Sequence, residues 1–165
     1  MPSVIKRVDT SFLNTPLESY PAKITKAEYR EYVIKMDANL KTHKDKVPDN
    51  IVNSVNPVKH TFADGLYLRE IFMPGGEIVV SKIHKVAHPF FLLKGKISVL
   101  TEEGEHLLKA PYYCITPVGT KRMLYTHTDS IVVTVHRTFE TEIDKIEKEI
   151  IAKNFKEIED ENDKE

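Results

Sequence analysis

LYLREIFMPGGEIVVSKIHKVAHPFFLLKGKISVLTEEGEHLLKAPYYCITPVGTKRMLYTHTDSIVVTVHR, residues 66–137, is the stretch that decides the fold. It contains eight short runs rich in β-branched and aromatic residues, at 66–72, 77–84, 89–93, 96–102, 106–110, 112–116, 122–126 and 131–136. Turn signals separate them: Pro74-Gly75-Gly76, Lys94-Gly95, Glu102-Glu103-Gly104, Val118-Gly119 and Thr128-Asp129-Ser130. Strand-length runs recurring at roughly 8 to 12 residues are the pattern of an all-β barrel or sandwich. Eight strands suffice for one jelly roll. No helix-length segment interrupts them, which argues against a parallel sheet built from βαβ units.

The flanks read differently. Residues 1–60 form an N-terminal arm. In it, Thr25-Lys26-Ala27-Glu28 is a capping box that starts a helix over about 26–41, with Tyr29, Tyr32, Val33, Met36 and Leu40 at helical spacing. A short helical turn is expected near Ile51–Val55, between Pro48 and Pro57. The β domain spans 61–138. Over 139–159, Ile143, Ile146, Ile150, Ile151, Phe155 and Ile158 make the apolar stripe of a C-terminal amphipathic helix. The last six residues, 160–165, carry no apolar group and read as a disordered acidic tail.

Composition bounds the rest. The 165 residues are 41% hydrophobic and 30% charged, as in an ordinary soluble domain. Cys114 stands alone, so neither an intrachain disulfide nor a cysteine-based zinc cluster can form. No apolar run reaches the roughly 18 residues of a membrane span, and no signal-peptide pattern opens the chain, so the expected compartment is cytoplasmic. The net charge of −1 divides into −6 over Phe139–Glu165 and +5 elsewhere. Without a stripe of clustered arginines and aromatics, this is not the footprint of nucleic-acid binding.

Two spacings in the β region carry a resemblance. Gly76, five residues, Lys82, one residue, His84, three residues, His88, six residues and Gly95 can be laid on the first motif of the cupin superfamily. Pro117-Val-Gly119-Thr-Lys-Arg122 can be laid on its second motif. The chain also resembles small cupins encoded by tailed bacteriophages, through KIHKVAH, LLKGKISVLTEEGE, LKAPY and PVGTKR. The resemblance implies a mainly β, double-stranded β-helix (jelly roll) with an N-terminal helix and a C-terminal amphipathic helix. It also implies a homodimer, and residues 1–24 are candidates to cover an open strand edge.

The departures bear on function. The cupin pattern binds one divalent metal through two histidines and a glutamate of the first motif and a histidine of the second. Those positions are Lys82, His84, His88 and Arg122 here. Lysine and arginine stay cationic and offer no lone pair, so the standard four-ligand site is absent. His84 and His88 remain, and His127 or His136 is expected to supply a third nitrogen, giving an altered site for iron, manganese, nickel or zinc. Lys82 and Arg122 would orient a small anionic ligand. A metal-free polar pocket for a carboxylate, phosphate or sugar acid stands beside that reading. So does a non-catalytic phage accessory or virion scaffold, located in the host cytoplasm or the virion. No reaction is specified by these residues.

Overall fold

The computed structural model describes residues 3–6 and 24–162. Twelve strands appear in chain order: β1 (Ser3–Lys6), β2 (Val58–Ala63), β3 (Leu66–Met73), β4 (Glu77–Val80), β5 (Ile83–His84), β6 (His88–Lys94), β7 (Lys96–Thr101), β8 (Gly104–Lys109), β9 (Tyr112–Thr116), β10 (Met123–Thr126), β11 (Ser130–Arg137) and β12 (Ile151–Ala152). Among the described residues four helices accompany them: α1 (Lys26–Thr42), α2 (Val52–Val55), α3 (Ile143–Ile150) and α4 (Lys156–Asn162). Among the described residues, no helix is long and apolar enough to cross a membrane.

Two five-stranded antiparallel sheets face each other, ordered β1-β4-β10-β7-β8 and β2-β3-β11-β6-β9. Omitting the added edge strands β1 and β2 and the separate β5–β12 pair, successive strands alternate between the sheets except at the β7–β8 hairpin, which is the double Greek-key order of a jelly roll. This is the fold class expected from the sequence, with its N-terminal helix in place.

Side-chain alternation builds the core from the strand runs. Val79, Ile97, Val99 and Leu124 point inward from the first sheet, and Ile71, Met73, Phe90, Leu92 and Val132 meet them from the second. The opposite face of the first sheet is also buried, because Ile78, Val80, Leu100 and Met123 lie under Tyr29, Val33, Met36 and Leu40 of α1. Burying each such side chain stabilises by about 1.5–3 kcal/mol. The Thr25–Glu28 capping box starts α1 as read from the sequence. Tyr29 then fixes its angle, donating its hydroxyl toward Leu100 O at 2.9 Å and Lys121 O at 2.6 Å.

Gly95, the closing glycine of the first motif, has φ of +95° in the β6–β7 turn. A Cβ there would collide with Ser130 Oγ and lie 2.6 Å from Asp129 O. The position therefore admits only glycine.

Four sequence expectations change, three of them at the flanks. The stretch 139–159 is not one helix: α3 stops at Ile150, Ile151–Ala152 pairs with Ile83–His84 as a strand, and α4 begins at Lys156. The periodic isoleucines serve two different surfaces. Ile146 and Ile150 pack on Tyr67, whereas Ala152, Phe155 and Ile158 pack on Ile83. Of the expected disordered tail, Asp160–Asn162 belong to α4 and residues 163–165 lie outside the described residues. The run 77–84 is likewise two strands, because the chain leaves the first sheet at Ser81-Lys82. The β domain also begins earlier than residue 61, at Val58 of β2. Of residues 1–24, Ser3–Lys6 form β1 and cover the β4 edge of the first sheet, and residues 7–23 lie outside the described residues.

Candidate metal centre

Three histidines converge at one end of the barrel. The register of β11 against β3 sets His136 opposite Tyr67 and Thr134 opposite Arg69. On its other side, β11 pairs Thr134 with Phe90 of β6, so His88, two residues before Phe90, projects from the same inner face beside His136. His84 arrives from β5, between the sheets. Gly119 N donates to its carbonyl oxygen at 2.8 Å, and the strand is paired with β12 at Ile151. Thus the glycine of the second motif positions a histidine of the first.

One nitrogen from each of His84, His88 and His136 lies within 4.8 Å of the others. Ring centroids are 4.3 Å apart for His84–His88, 4.5 Å for His88–His136 and 5.7 Å for His84–His136. His88 and His136 are each 2% exposed. Burial, then its neighbours His88, His136, Arg69 and Arg122, push the His84 pKa down to about 2. Burial, His88 and Arg69 push His136 down to about 3. Burial and Arg122 also lower His88, against the opposing effect of its bond to Val86 O. All three rings are therefore neutral at pH 7, the form that ligates metals.

The hydrogen bonds select the donor atoms. His88 Nδ1–H donates to Val86 O at 3.1 Å, because a carbonyl can only accept, so Nε2 keeps its lone pair. His136 Nε2 bonds Thr134 Oγ1 at 3.2 Å, and its Nδ1 is buried with no hydrogen-bond partner. A ring held through one nitrogen with the other bare is the usual support of a metal ligand. The donor set fits a borderline ion such as zinc, iron or nickel.

The other residues singled out from the sequence are placed as follows. His127 lies on the outer side of the first sheet, in the alternation of Met123 and Tyr125, with Nε2 2.8 Å from Ser98 Oγ. Of the two candidates for a third nitrogen, only His136 joins His84 and His88. Lys82 is held at the barrel rim by Glu147 of α3, its Nζ 2.9 Å from both carboxylate oxygens. Arg122 shares the inward alternation of Leu124, with its guanidinium carbon 5.7 Å from the Phe90 ring centroid. Sequence reasoning missed Arg69 and Tyr67, which face the cluster from β3. The signal was present in LYLREIF, where period-two alternation places Tyr67 and Arg69 with core residue Ile71. His60 sits on β2 with Nδ1 2.7 Å from the Tyr67 hydroxyl.

No family model matches the chain, and no curated protein matches it. Among solved structures, the chain is similar to an acetylacetone dioxygenase from Acinetobacter johnsonii, at 19% identity and a TM-score of 0.43 over 58% of this chain and 73% of that one. It is also similar to a cupin-2 domain containing protein from Shewanella frigidimarina, at 10% identity and a TM-score of 0.42 over 49% and 79%. A third is the Cnp3 cupin domain of Schizosaccharomyces pombe, at 20% identity and a TM-score of 0.43 over 49% and 63%.

Proposed function

We propose that the protein binds a divalent transition-metal ion through His84, His88 and His136 and presents it to a small ligand inside the barrel. The observation that carries this reading is the convergence of one nitrogen from each of three neutral imidazoles within 4.8 Å, in a cluster where His136 Nδ1 is buried with no hydrogen-bond partner. Leaving a buried polar atom unsatisfied costs about 1–3 kcal/mol, a cost that a bound cation removes. Three imidazoles leave coordination positions open, and an ion held in this way supplies Lewis acidity. The chain's own contribution is to keep the three rings unprotonated, to fix their orientation through Val86 O and Thr134 Oγ1, and to hold Phe90 and Leu92 beneath them as an apolar floor.

The test is elemental analysis of tag-free protein purified without chelator and then reconstituted with Zn(II), Fe(II), Mn(II) or Ni(II). Near one metal per chain is expected for the wild type and for His127→Ala. Loss of that metal is expected for His84→Ala, His88→Ala and His136→Ala. Metal below about 0.1 per chain with no uptake on reconstitution, or retention in all three variants, refutes the proposal.

A further inference from the structure

Arg69 and Arg122 approach the histidine cluster from different sheets. Arg69 projects inward from β3, in register with Thr134, whose hydroxyl holds His136. Arg122 projects inward immediately before β10, its backbone N–H tied to Ser81 Oγ at 2.9 Å. The two positive charges act on the same imidazoles. Arg69 lowers the pKa values of His84 and His136, and Arg122 lowers those of His84 and His88.

Among the described residues, neither guanidinium has a counter-charge in contact. Among the described residues, no hydrogen bond or ion pair is made by either side chain, and Arg122 Nε is buried with no partner. The carboxylate that influences Arg69 belongs to Glu147, and both its oxygens are taken up by Lys82. Desolvation is the main effect on Arg69 and acts against its charge. Partly buried cations ordinarily find an anionic partner within the protein, because removing them from water without one is unfavourable. A dication at the histidines would add to the repulsion unless an anion came with it.

We propose that this end of the barrel takes a small carboxylate or related oxyanion, held by Arg122 and Arg69 beside the three histidines. This deepens the metal-binding reading and names its ligand class, but the anion clamp also stands without the metal. Planar guanidinium donors suit carboxylate oxygens. The ligand is small because Leu92 and Ile97, both 0% exposed, fill the barrel beneath Phe90.

The experiment is calorimetric titration of malonate, and of its neutral diamide as a control, into metal-free and Ni(II)-exposed protein. Wild type, Arg122→Gln and Arg69→Gln are compared, with metal content and thermal unfolding measured in parallel. Malonate is expected to bind the wild type while the diamide gives no heat, and each variant is expected to weaken malonate at least tenfold. Absence of malonate binding to both forms of the wild type overturns the proposal. So does equal binding of malonate and the diamide, or unchanged affinity in both folded variants. If a variant fails to fold, Arg122→Lys and the wild-type comparison of malonate with the diamide decide. Arginine-dependent malonate binding in protein that takes up no nickel would leave the clamp standing and remove the metal site. Metal uptake without malonate binding would do the reverse.

Discussion

Acid should destabilise the metal-free protein before its carboxylates titrate. The cause lies in His84 and His136, whose folded-state pKa values of about 2 and about 3 fall far below the ordinary histidine value of 6.5. Above pH 6.5 both rings are neutral in the folded and unfolded states alike, and they contribute no pH dependence. Below it the unfolded chain binds protons that the folded barrel refuses, so stability falls as pH falls, until the folded-state values are reached. At pH 5 the loss is about 2 kcal/mol per histidine, or about 4 kcal/mol for the two. His88 is shifted in the same direction and adds to it. Against a typical total of about 5–15 kcal/mol this is a large fraction. The assay is urea unfolding of chelator-treated protein at pH 7 and pH 5, in the wild type and in the double variant His84→Gln/His136→Gln. The wild type should lose about 4 kcal/mol from these two groups and the variant correspondingly less. A wild-type loss below about 1 kcal/mol, or an equal loss in the variant, would refute the view that these imidazoles are held neutral by burial.

Other perturbations probe the frame around the site. Gly95→Ala should cost at least about 2 kcal/mol, because the side chain meets both a positive φ and Ser130; a change in thermal midpoint below about 2 °C would contradict it. Asp37→Asn should cost about 3 kcal/mol by removing the counter-charge of the Lys121 ammonium, 8% exposed and 2.9 Å from Asp37 Oδ2, and leaving it the neutral Ser81 carbonyl, as read from chemical denaturation at pH 7. Tyr29→Phe should cost about 1–3 kcal/mol, since the buried carbonyls of Leu100 and Lys121 lose a donor; its metal content should match the wild type.

The barrel was legible in the sequence because each strand carries its own period-two pattern and its own turn. Gly95 shows why a spacing match can be informative, since the backbone there excludes every other residue type. Legibility failed at Val58–Ala63 for lack of a pattern: it is mostly exposed and has no alternating apolar face, although its partner β3 is next in the chain, across Asp64-Gly65. It failed again where a segment's partner is remote in sequence. The isoleucines of 143–158 keep helical spacing across a break that is imposed by β5, some 67 residues earlier. The site shows the same division. His84 and His88 were marked by local spacing, whereas the choice of His136 over His127 depended on the faces of two different strands. Lys82 was read as part of one strand run over 77–84, whereas it lies in the break between β4 and β5 and pairs with Glu147 of α3, a partner remote in sequence.

The pairing of Ile151 with His84 also bears on the order of events in biosynthesis. A nascent chain that has emerged as far as Arg137 already contains all three histidines and every strand of the two large sheets. It still lacks the segment that fixes one of those histidines in position. At roughly 5 to 20 residues per second, Ile151 is added several seconds after His84. The β12 side of the frame around His84 is therefore added only after every strand of the two large sheets has been made, when Gly119 and Thr120 are already available to the same strand.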